Sequence, residues 1–205
     1  MSESKNRVTV STLMEMKQRQ QKITVLTAYD FSFAQQIDHA GVDVVLVGDS
    51  LGMVVQGRET TIPVTLEEMV YHAQLVERGL KRSLLLVDLP FMSYSTTDQA
   101  LRSAGRLMKE GGAQMVKLEG GADQVETVAL LVSRNIPVAA HLGLQPQSVH
   151  RLGGYPVQGR QQEAAQQMVA DALALEQAGA SLLVLERVPA VLAAEITAAL
   201  KIPVI

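Results

Sequence analysis

Five charged side chains stand at the ends of short apolar runs, and their types suit metal and proton chemistry. Asp49 and Asp88 each close a run rich in Val and Leu, Lys117 and Glu119 close a third, and Glu186 closes a fourth. One such carboxylate alone could cap a helix or lie in solvent, and Lys117 could simply pair with Glu119. Several carboxylates in one place repel each other unless a cation neutralises them, and a hard, oxygen-preferring ion such as Mg²⁺ does so. The set therefore predicts a divalent-metal site.

The alternation of side chains along a strand predicts which of these residues point the same way. Residues two apart share a face of a strand. We therefore expect four face sets, namely residues 45, 47 and 49; 84, 86 and 88; 117 and 119; and 182, 184 and 186. The polar residues of four strand ends would then meet at one edge of the fold.

The elements that must hold these side chains are short apolar runs that alternate with longer segments of helical period. The runs are rich in Val, Ile and Leu and apolar on both faces, as is typical of parallel strands covered on both sides. A capping box at Thr65 and Glu68 begins one helix, whose apolar stripe continues to Leu80. The predicted strands span residues 23–29, 42–48, 83–89, 115–119, 137–142, 181–186 and 202–205.

Glycine ends three of the predicted helices, and an apolar strand follows each time. The junctions are His39-Ala-Gly-Val-Asp, Lys109-Glu-Gly-Gly-Ala and Gln177-Ala-Gly-Ala-Ser. Glycine just past a helix takes the left-handed conformation that stops the helix and satisfies its last carbonyls. Strands that alternate with helices in this way predict a parallel sheet with right-handed crossovers.

Two architectures fit such a sheet, an open doubly wound sheet and a closed (β/α)₈ barrel. No G-x-G-x-x-G follows the first strand, where a dinucleotide-binding fold has it, and polar residues at several strand ends favour the barrel. A barrel of this kind usually needs about 250 residues. We therefore predict one (β/α)₈ barrel domain over residues 1–205 that is truncated within strand seven. Its last βα units would be missing, and residues 1–21, with a short helix over 10–20, would cover the bottom of the barrel.

The composition excludes several classes of function. The 205 residues are 47% hydrophobic and 19% charged, with a net charge of −3 and no cysteine. Disulfides, thiolate metal sites and thiol catalysis are therefore excluded, and no basic stripe suggests nucleic acid as a partner. No apolar run approaches the roughly 20 residues that span a bilayer, and the polar N-terminus lacks the apolar core of a secretory signal. We expect a cytoplasmic protein.

Several strand-end segments resemble one enzyme family. The segments are Thr27-Ala-Tyr-Asp-Phe-Ser-Phe-Ala34, Leu46-Val-Gly-Asp-Ser-Leu-Gly-Met-Val-Val-Gln-Gly57, Val87-Asp-Leu-Pro-Phe-Met92, Val116-Lys-Leu-Glu-Gly-Gly121 and His141-Leu-Gly-Leu-Gln-Pro-Gln-Ser148. Together they resemble the ketopantoate hydroxymethyltransferases, also called 3-methyl-2-oxobutanoate hydroxymethyltransferases. The resemblance runs from about Thr9 to the last residue.

The resemblance implies a (β/α)₈ barrel that acts in pantothenate biosynthesis. Such enzymes transfer a one-carbon unit from 5,10-methylenetetrahydrofolate to 3-methyl-2-oxobutanoate and give 2-dehydropantoate. The family also forms large homo-oligomers, commonly decamers, so a homo-oligomer is expected here.

The resemblance also implies roles for individual residues. Asp49, Asp88 and Glu119 match the Mg²⁺ positions, and Asp49, Ser50, Asp88 and Lys117 match the positions that hold the oxo acid. Glu186 matches the proton acceptor. His141 stands where a histidine could contact substrate, although a buried core histidine is an equal interpretation.

Two alternatives remain open. The phosphoenolpyruvate mutase and isocitrate lyase group also uses Mg²⁺, 2-oxo acids and a barrel, but its lyase members need a catalytic cysteine that this chain lacks. A non-enzymatic alternative is an inactive barrel fragment that only associates with other subunits.

Overall fold

The structure is a computed structural model that describes residues 7–205, so the first six residues of the predicted N-terminal segment lie outside it. Six strands alternate with helices along this part of the chain. The strands are β1 Val25–Thr27, β2 Val44–Val47, β3 Leu84–Asp88, β4 Met115–Glu119, β5 Val138–Gly143 and β6 Leu182–Glu186. The α-helices are α1 Val10–Gln18, α2 Phe31–His39, α3 Leu51–Val54, α4 Leu66–Gly79, α5 Thr97–Lys109, α6 Val125–Ser133, α7 Val149–Leu152, α8 Gln162–Gln177 and α9 Ala190–Ala199.

The six strands form one parallel sheet whose spatial order is the order of the chain, from β1 to β6. This sequential order is that of a half-barrel and differs from a doubly wound sheet, where the order reverses. Leu183 of β6 forms a parallel bridge with Val204, so the predicted seventh strand begins to pair with β6 there. The predicted parallel α/β sheet is confirmed.

The sheet separates two apolar clusters. Side chains on the outer face, such as Val45, Val87 and Leu118, pack against the helices. Side chains on the inner face, such as Leu86 and Met115, form a second cluster that also contains residues of α1 and the segment before it. Several inner residues open their strands, which places α1 at the amino ends of the strands, opposite the ends that carry the charged residues.

Strand β1 differs from the expectation. It was predicted over residues 23–29 with both faces buried, but it covers three residues, and Leu26 is 52% exposed. The reason is that β1 pairs on one side with β2 and lies at the edge of the sheet in the described residues. A strand at an edge has fewer neighbours to bury its side chains.

Local signals in the sequence produce the predicted helix ends. Thr65 and Glu68 form the reciprocal capping box at the start of α4. Gly41, Gly112 and Gly179, one in each helix–strand junction, all have positive φ, as a left-handed helix stop requires. Both predictions are confirmed, and the glycine stops fix where β2, β4 and β6 begin and hence which residues reach their carboxyl ends.

Candidate active site

The charged side chains come together because neighbouring strands pair in register. Asp88 is paired with Lys117 across β3 and β4, and Glu119 is paired with His141 across β4 and β5. All four are buried, which is unusual for charged residues unless they have partners. The predicted meeting of polar residues at the carboxyl edge of the sheet therefore holds for β3 and β4, and His141 on β5, outside that predicted set, joins them.

Asp49 reaches this group by a different route from the one predicted. Val45 and Val47 point outward to the helices, whereas Val44 and Leu46 point inward, so residues 45 and 47 do not share the site's face. The strand ends at Val47, and Asp49 lies in the turn that follows, where alternation no longer applies. Its backbone N–H donates to Oδ2 of Asp88 at 3.1 Å. The predicted position is right, but the predicted face set was wrong.

Lys117 lies at the centre of the group. Its Nζ is 3.2 Å from Oδ1 of Asp88, and it donates to Nδ1 of His141 at 3.0 Å. Burial opposes the charged form of the lysine, but Asp88, Glu119 and Asp49 outweigh this effect, and the pKa of Lys117 is raised. Lys117 is therefore a buried ammonium that balances part of the negative charge.

One cation does not balance three carboxylates, and their pKa values reflect this. Burial and the neighbouring Asp88 raise the pKa of Asp49 to about 7. Burial, with Asp49 and Asp88, raises the pKa of Glu119 to about 8 although Lys117 opposes the shift. Burial also raises the pKa of Asp88, whose Oδ1 lacks a well-aligned hydrogen-bond donor in the described residues. The site therefore favours further positive charge.

His141 links the buried group to Glu186. Burial and the nearby Lys117 hold the pKa of His141 well below its usual value, so the ring is neutral. The ammonium of Lys117 can only donate, so Nδ1 of the ring accepts and Nε2 carries the proton. This Nε2 lies 3.5 Å from Oε2 of Glu186, whose side chain is 41% exposed. Burial raises the pKa of Glu186 as well.

Ser50 lies beside the acidic group at the start of α3. Its hydroxyl is 2.7 Å from the hydroxyl of Tyr29, which follows β1. Two hydroxyls in contact leave one proton free to be donated elsewhere. The predicted substrate-binding residue is thus adjacent to the predicted metal ligands and held by a side chain from a neighbouring loop.

A cavity of about 250 Å³ opens beside Glu119. The loops after β3, β4 and β5 line it, and its walls include Phe91, Tyr94, Gln145 and Arg151. Phe91 is 40% exposed, which leaves part of an aromatic side chain available to a ligand. The site can therefore admit a second molecule next to the acidic group.

Comparison with known proteins decides the family. The family model described as ketopantoate hydroxymethyltransferase matches residues 7–205. The chain belongs to the ketopantoate hydroxymethyltransferase family. The family predicted from the strand-end motifs is confirmed, and so is the predicted enzyme class, a hydroxymethyltransferase.

Curated relatives agree with this assignment. The chain is 62% identical over 198 residues to the 3-methyl-2-oxobutanoate hydroxymethyltransferase of Alkalilimnicola ehrlichii, and 59% identical over 198 residues to that of Halorhodospira halophila. Each match covers 97% of this chain and 72% of the relative.

Solved structures show a related fold at lower identity. The chain superposes on 2,3-dimethylmalate lyase, a member of the PEP mutase/isocitrate lyase superfamily, with a TM-score of 0.69 and 18% identity. The match covers 95% of this chain and 70% of the lyase. At this identity the likeness shows the fold alone, so the alternative of an enzyme from that group gains no support beyond a common fold. No helix among residues 7–205 has the length and apolar character needed to cross a membrane.

Sequence reasoning missed two polar residues that contact the site. Gln147 donates from its side chain to Asp49 and from its backbone to Glu119, and Tyr94 donates to Gln147. Tyr94 lies in a loop and Gln147 in the short 3₁₀ turn Pro146–Ser148, where no periodic pattern marks them. Burial could not be read from their residue types, although Gln147 does fall within the family-like segment His141–Ser148.

Proposed function

We propose that the protein transfers a hydroxymethyl group from 5,10-methylenetetrahydrofolate to 3-methyl-2-oxobutanoate, giving 2-dehydropantoate for pantothenate biosynthesis. The observation that carries the proposal is the buried group of three carboxylates and one lysine, in a chain that matches the family over residues 7–205. In barrel enzymes, catalytic residues usually lie at the carboxyl ends of the parallel strands, where these buried charges are found.

Asp49, Asp88 and Glu119 would hold Mg²⁺. Support comes from their oxygen donors, their excess negative charge and the Oδ1 of Asp88, which has Lys117 Nζ at 3.2 Å but no well-aligned hydrogen-bond donor among residues 7–205. As the side chains stand in residues 7–205, no three His, Asp or Glu groups converge closely enough to ligate one ion. Mg²⁺ commonly takes one or two carboxylates and keeps several waters, so we assign Asp49 and Asp88 as direct ligands and Glu119 as a ligand through water. When bound, the ion would act as a Lewis acid on the keto and carboxylate oxygens of the oxo acid.

The oxo acid would bind beside these residues. Lys117, a buried ammonium beside Asp88, would neutralise the substrate carboxylate or the charge that develops on the enolate oxygen. The Ser50 hydroxyl, held by Tyr29, can donate to a substrate oxygen. Burial strengthens both interactions because little water competes inside the site.

Glu186 would be the base that removes the C3 proton of the oxo acid. It is half-buried, so it is accessible to substrate while burial raises the pKa of its carboxylate toward the range that suits a base at neutral pH. Nε2 of the neutral His141 ring lies 3.5 Å from Oε2 of Glu186 without a well-aligned hydrogen bond, and a small movement would let its N–H orient the carboxylate. We keep His141 as a substrate-contacting or orienting residue rather than a proton acceptor.

The one-carbon donor would approach through the cavity beside Glu119. Phe91 offers an aromatic face to a planar pterin ring, and the guanidinium of Arg151 suits the carboxylates of a folate. The closed (β/α)₈ barrel, the homo-oligomer, with a decamer as the expected size, and the cytoplasmic location stay predictions. Light scattering on the purified protein would measure the oligomer.

Proton exchange tests the central step. With wild-type protein and Mg²⁺ in D₂O, we expect the C3 proton of 3-methyl-2-oxobutanoate to exchange for deuterium. The exchange is followed by NMR as the loss of the C3 proton signal. Glu186→Gln should slow the exchange by about 10²–10⁴-fold, the usual contribution of a positioned base. A chelator should abolish exchange, and added Mg²⁺ should restore it. Glu163→Gln on α8 provides an exposed control of the same chemical type.

Exchange that is unaffected by Glu186→Gln would refute its role as the base. Exchange that is unaffected by a chelator would refute the requirement for a metal ion. If wild-type protein shows neither exchange nor formation of 2-dehydropantoate with the folate donor, the inactive-fragment alternative is the correct one for this chain.

A further inference from the structure

Gln147 has no role among the expected site residues, yet it makes several hydrogen bonds to the acidic group. It is buried in the short 3₁₀ turn Pro146–Ser148 that follows β5. Its Nε2 donates to Oδ2 of Asp49 at 2.8 Å and to the carbonyl of Leu89 at 2.9 Å. Its backbone N–H donates to Oε2 of Glu119 at 3.1 Å. One residue therefore connects the loops after β2, β3 and β5 and the end of β4.

The orientation of the Gln147 amide follows from its neighbours. Two acceptors, the Asp49 carboxylate and the Leu89 carbonyl, face the same end of the amide, so that end must be the NH₂ group. The hydroxyl of Tyr94 donates to Oε1 at the other end, at 2.5 Å. A flipped amide would place its oxygen against both acceptors and lose these two bonds, whereas the Tyr94 hydroxyl could bond to either end of the amide. The amide is therefore fixed in one orientation.

A neutral donor has a particular advantage at this position. It directs one oxygen of Asp49 and one oxygen of Glu119 without bringing a second cation that would compete with a metal ion. Residues that hydrogen-bond to metal ligands commonly change metal affinity by about 10–100-fold when they are removed. Lys117, in contrast, contributes charge as well as direction.

We propose that Gln147 is a positioning residue that orients Asp49 and Glu119 for divalent-metal binding, with Tyr94 holding its amide. This inference rests on the proposed function, since it assumes that the carboxylates bind a metal. It assigns a role to the loop after β5, which supplies none of the predicted ligands.

Direct titration with Mn²⁺ tests the inference without using activity. Mn²⁺ binding is followed by the electron paramagnetic resonance signal of the free ion in wild-type protein, Gln147→Met, Tyr94→Phe and Gln74→Met. Gln147→Met keeps the size of the side chain and removes its side-chain hydrogen bonds to Asp49, Leu89 and Tyr94, while the backbone bond to Glu119 remains. We expect the Kd for Mn²⁺ to rise about tenfold or more. Tyr94→Phe should raise the Kd by a smaller factor. Gln74→Met, which loses one bond to the Glu110 carbonyl on the helix surface, should leave it unchanged.

The outcomes separate the two proposals. If wild-type protein binds no Mn²⁺, the proposed metal site fails, and the role of Gln147 fails with it. If wild-type protein binds Mn²⁺ and folded Gln147→Met binds it within about twofold of wild type, the role of Gln147 alone is overturned. A merely structural residue would lower the melting temperature without changing the Kd, and that result also overturns it. If Gln147→Met does not fold, Tyr94→Phe decides, because an unchanged Kd there contradicts the proposal.

Discussion

Replacing Lys117 by methionine tests whether a buried cation stabilises the acidic group. At an effective dielectric constant of about 20, unit charges at the 3.2 Å separation of Lys117 and Asp88 attract by about 5 kcal/mol, part of which offsets the cost of burying them. Removing one partner of a buried pair typically costs about 3–5 kcal/mol. We expect Lys117→Met to lose about that much unfolding free energy at about pH 9 in metal-free buffer. For a chain of this size the loss corresponds to a fall of roughly 6–20 °C in melting temperature.

The loss should become smaller as the pH falls. The pKa values of Asp49 and Glu119 are raised in the folded protein to about 7 and about 8, so the folded state takes up protons while the unfolded chain is still ionised. Stability therefore rises as the pH falls through this window. Lys117 lowers both pKa values, so its removal steepens the rise. Urea unfolding followed by circular dichroism at about pH 9 and about pH 6 measures the effect.

The control for this comparison is Lys109→Met, an exposed lysine near the end of α5, which should change stability little. A loss below about 1 kcal/mol for Lys117→Met, or an equal loss at both pH values, would refute the reasoning.

Two further predictions concern close contacts at opposite ends of the sheet, one before β3 and one at the end of β5. Asp38→Ala removes a buried carboxylate that accepts from the backbone N–H groups of Lys81, Arg82 and Ser83, so we expect a loss of about 2–3 kcal/mol in urea unfolding. These bonds outweigh burial and lower the pKa of Asp38. The contribution of Asp38 to the unfolding free energy should therefore be present above its ordinary pKa of 3.8 and disappear as the pH falls below that value. A stability difference between wild type and variant that grows on acidification would contradict this. Gly143→Ala should cost about 2 kcal/mol or more, because Gly143 has φ +90 and an added Cβ would lie 2.2 Å from the Glu186 carbonyl. Gly105→Ala, inside α5 with open space around it, should instead stabilise by about 0.5–1 kcal/mol, and thermal melts that show equal signs for the two glycines would refute the argument.

The periodic elements could be predicted from the sequence because their signals are local. The capping box at Thr65, the glycine stops and the Val- and Leu-rich runs depend on neighbours within a few residues, and each appears in the structure close to its expected place. The burial of β1 could not be predicted in this way, because exposure at an edge depends on which strands lie beside it. The approach of Asp88, Lys117 and Glu119 followed correctly from strand ends that meet at one edge.

The parts of the site that sequence reasoning missed are those that lie beyond the strand ends. Asp49 reaches the group through a turn rather than through the alternation of β2, so its predicted position was right for the wrong reason. Gln147 enters through a loop whose path depends on Gly143, where the backbone passes too close to Glu186 for a side chain. Such a close approach of two backbone segments depends on the folded structure and cannot be predicted from the spacing of residues in the sequence. The residues that carry charge could therefore be inferred from the chain, whereas the neutral residues that direct them required the fold.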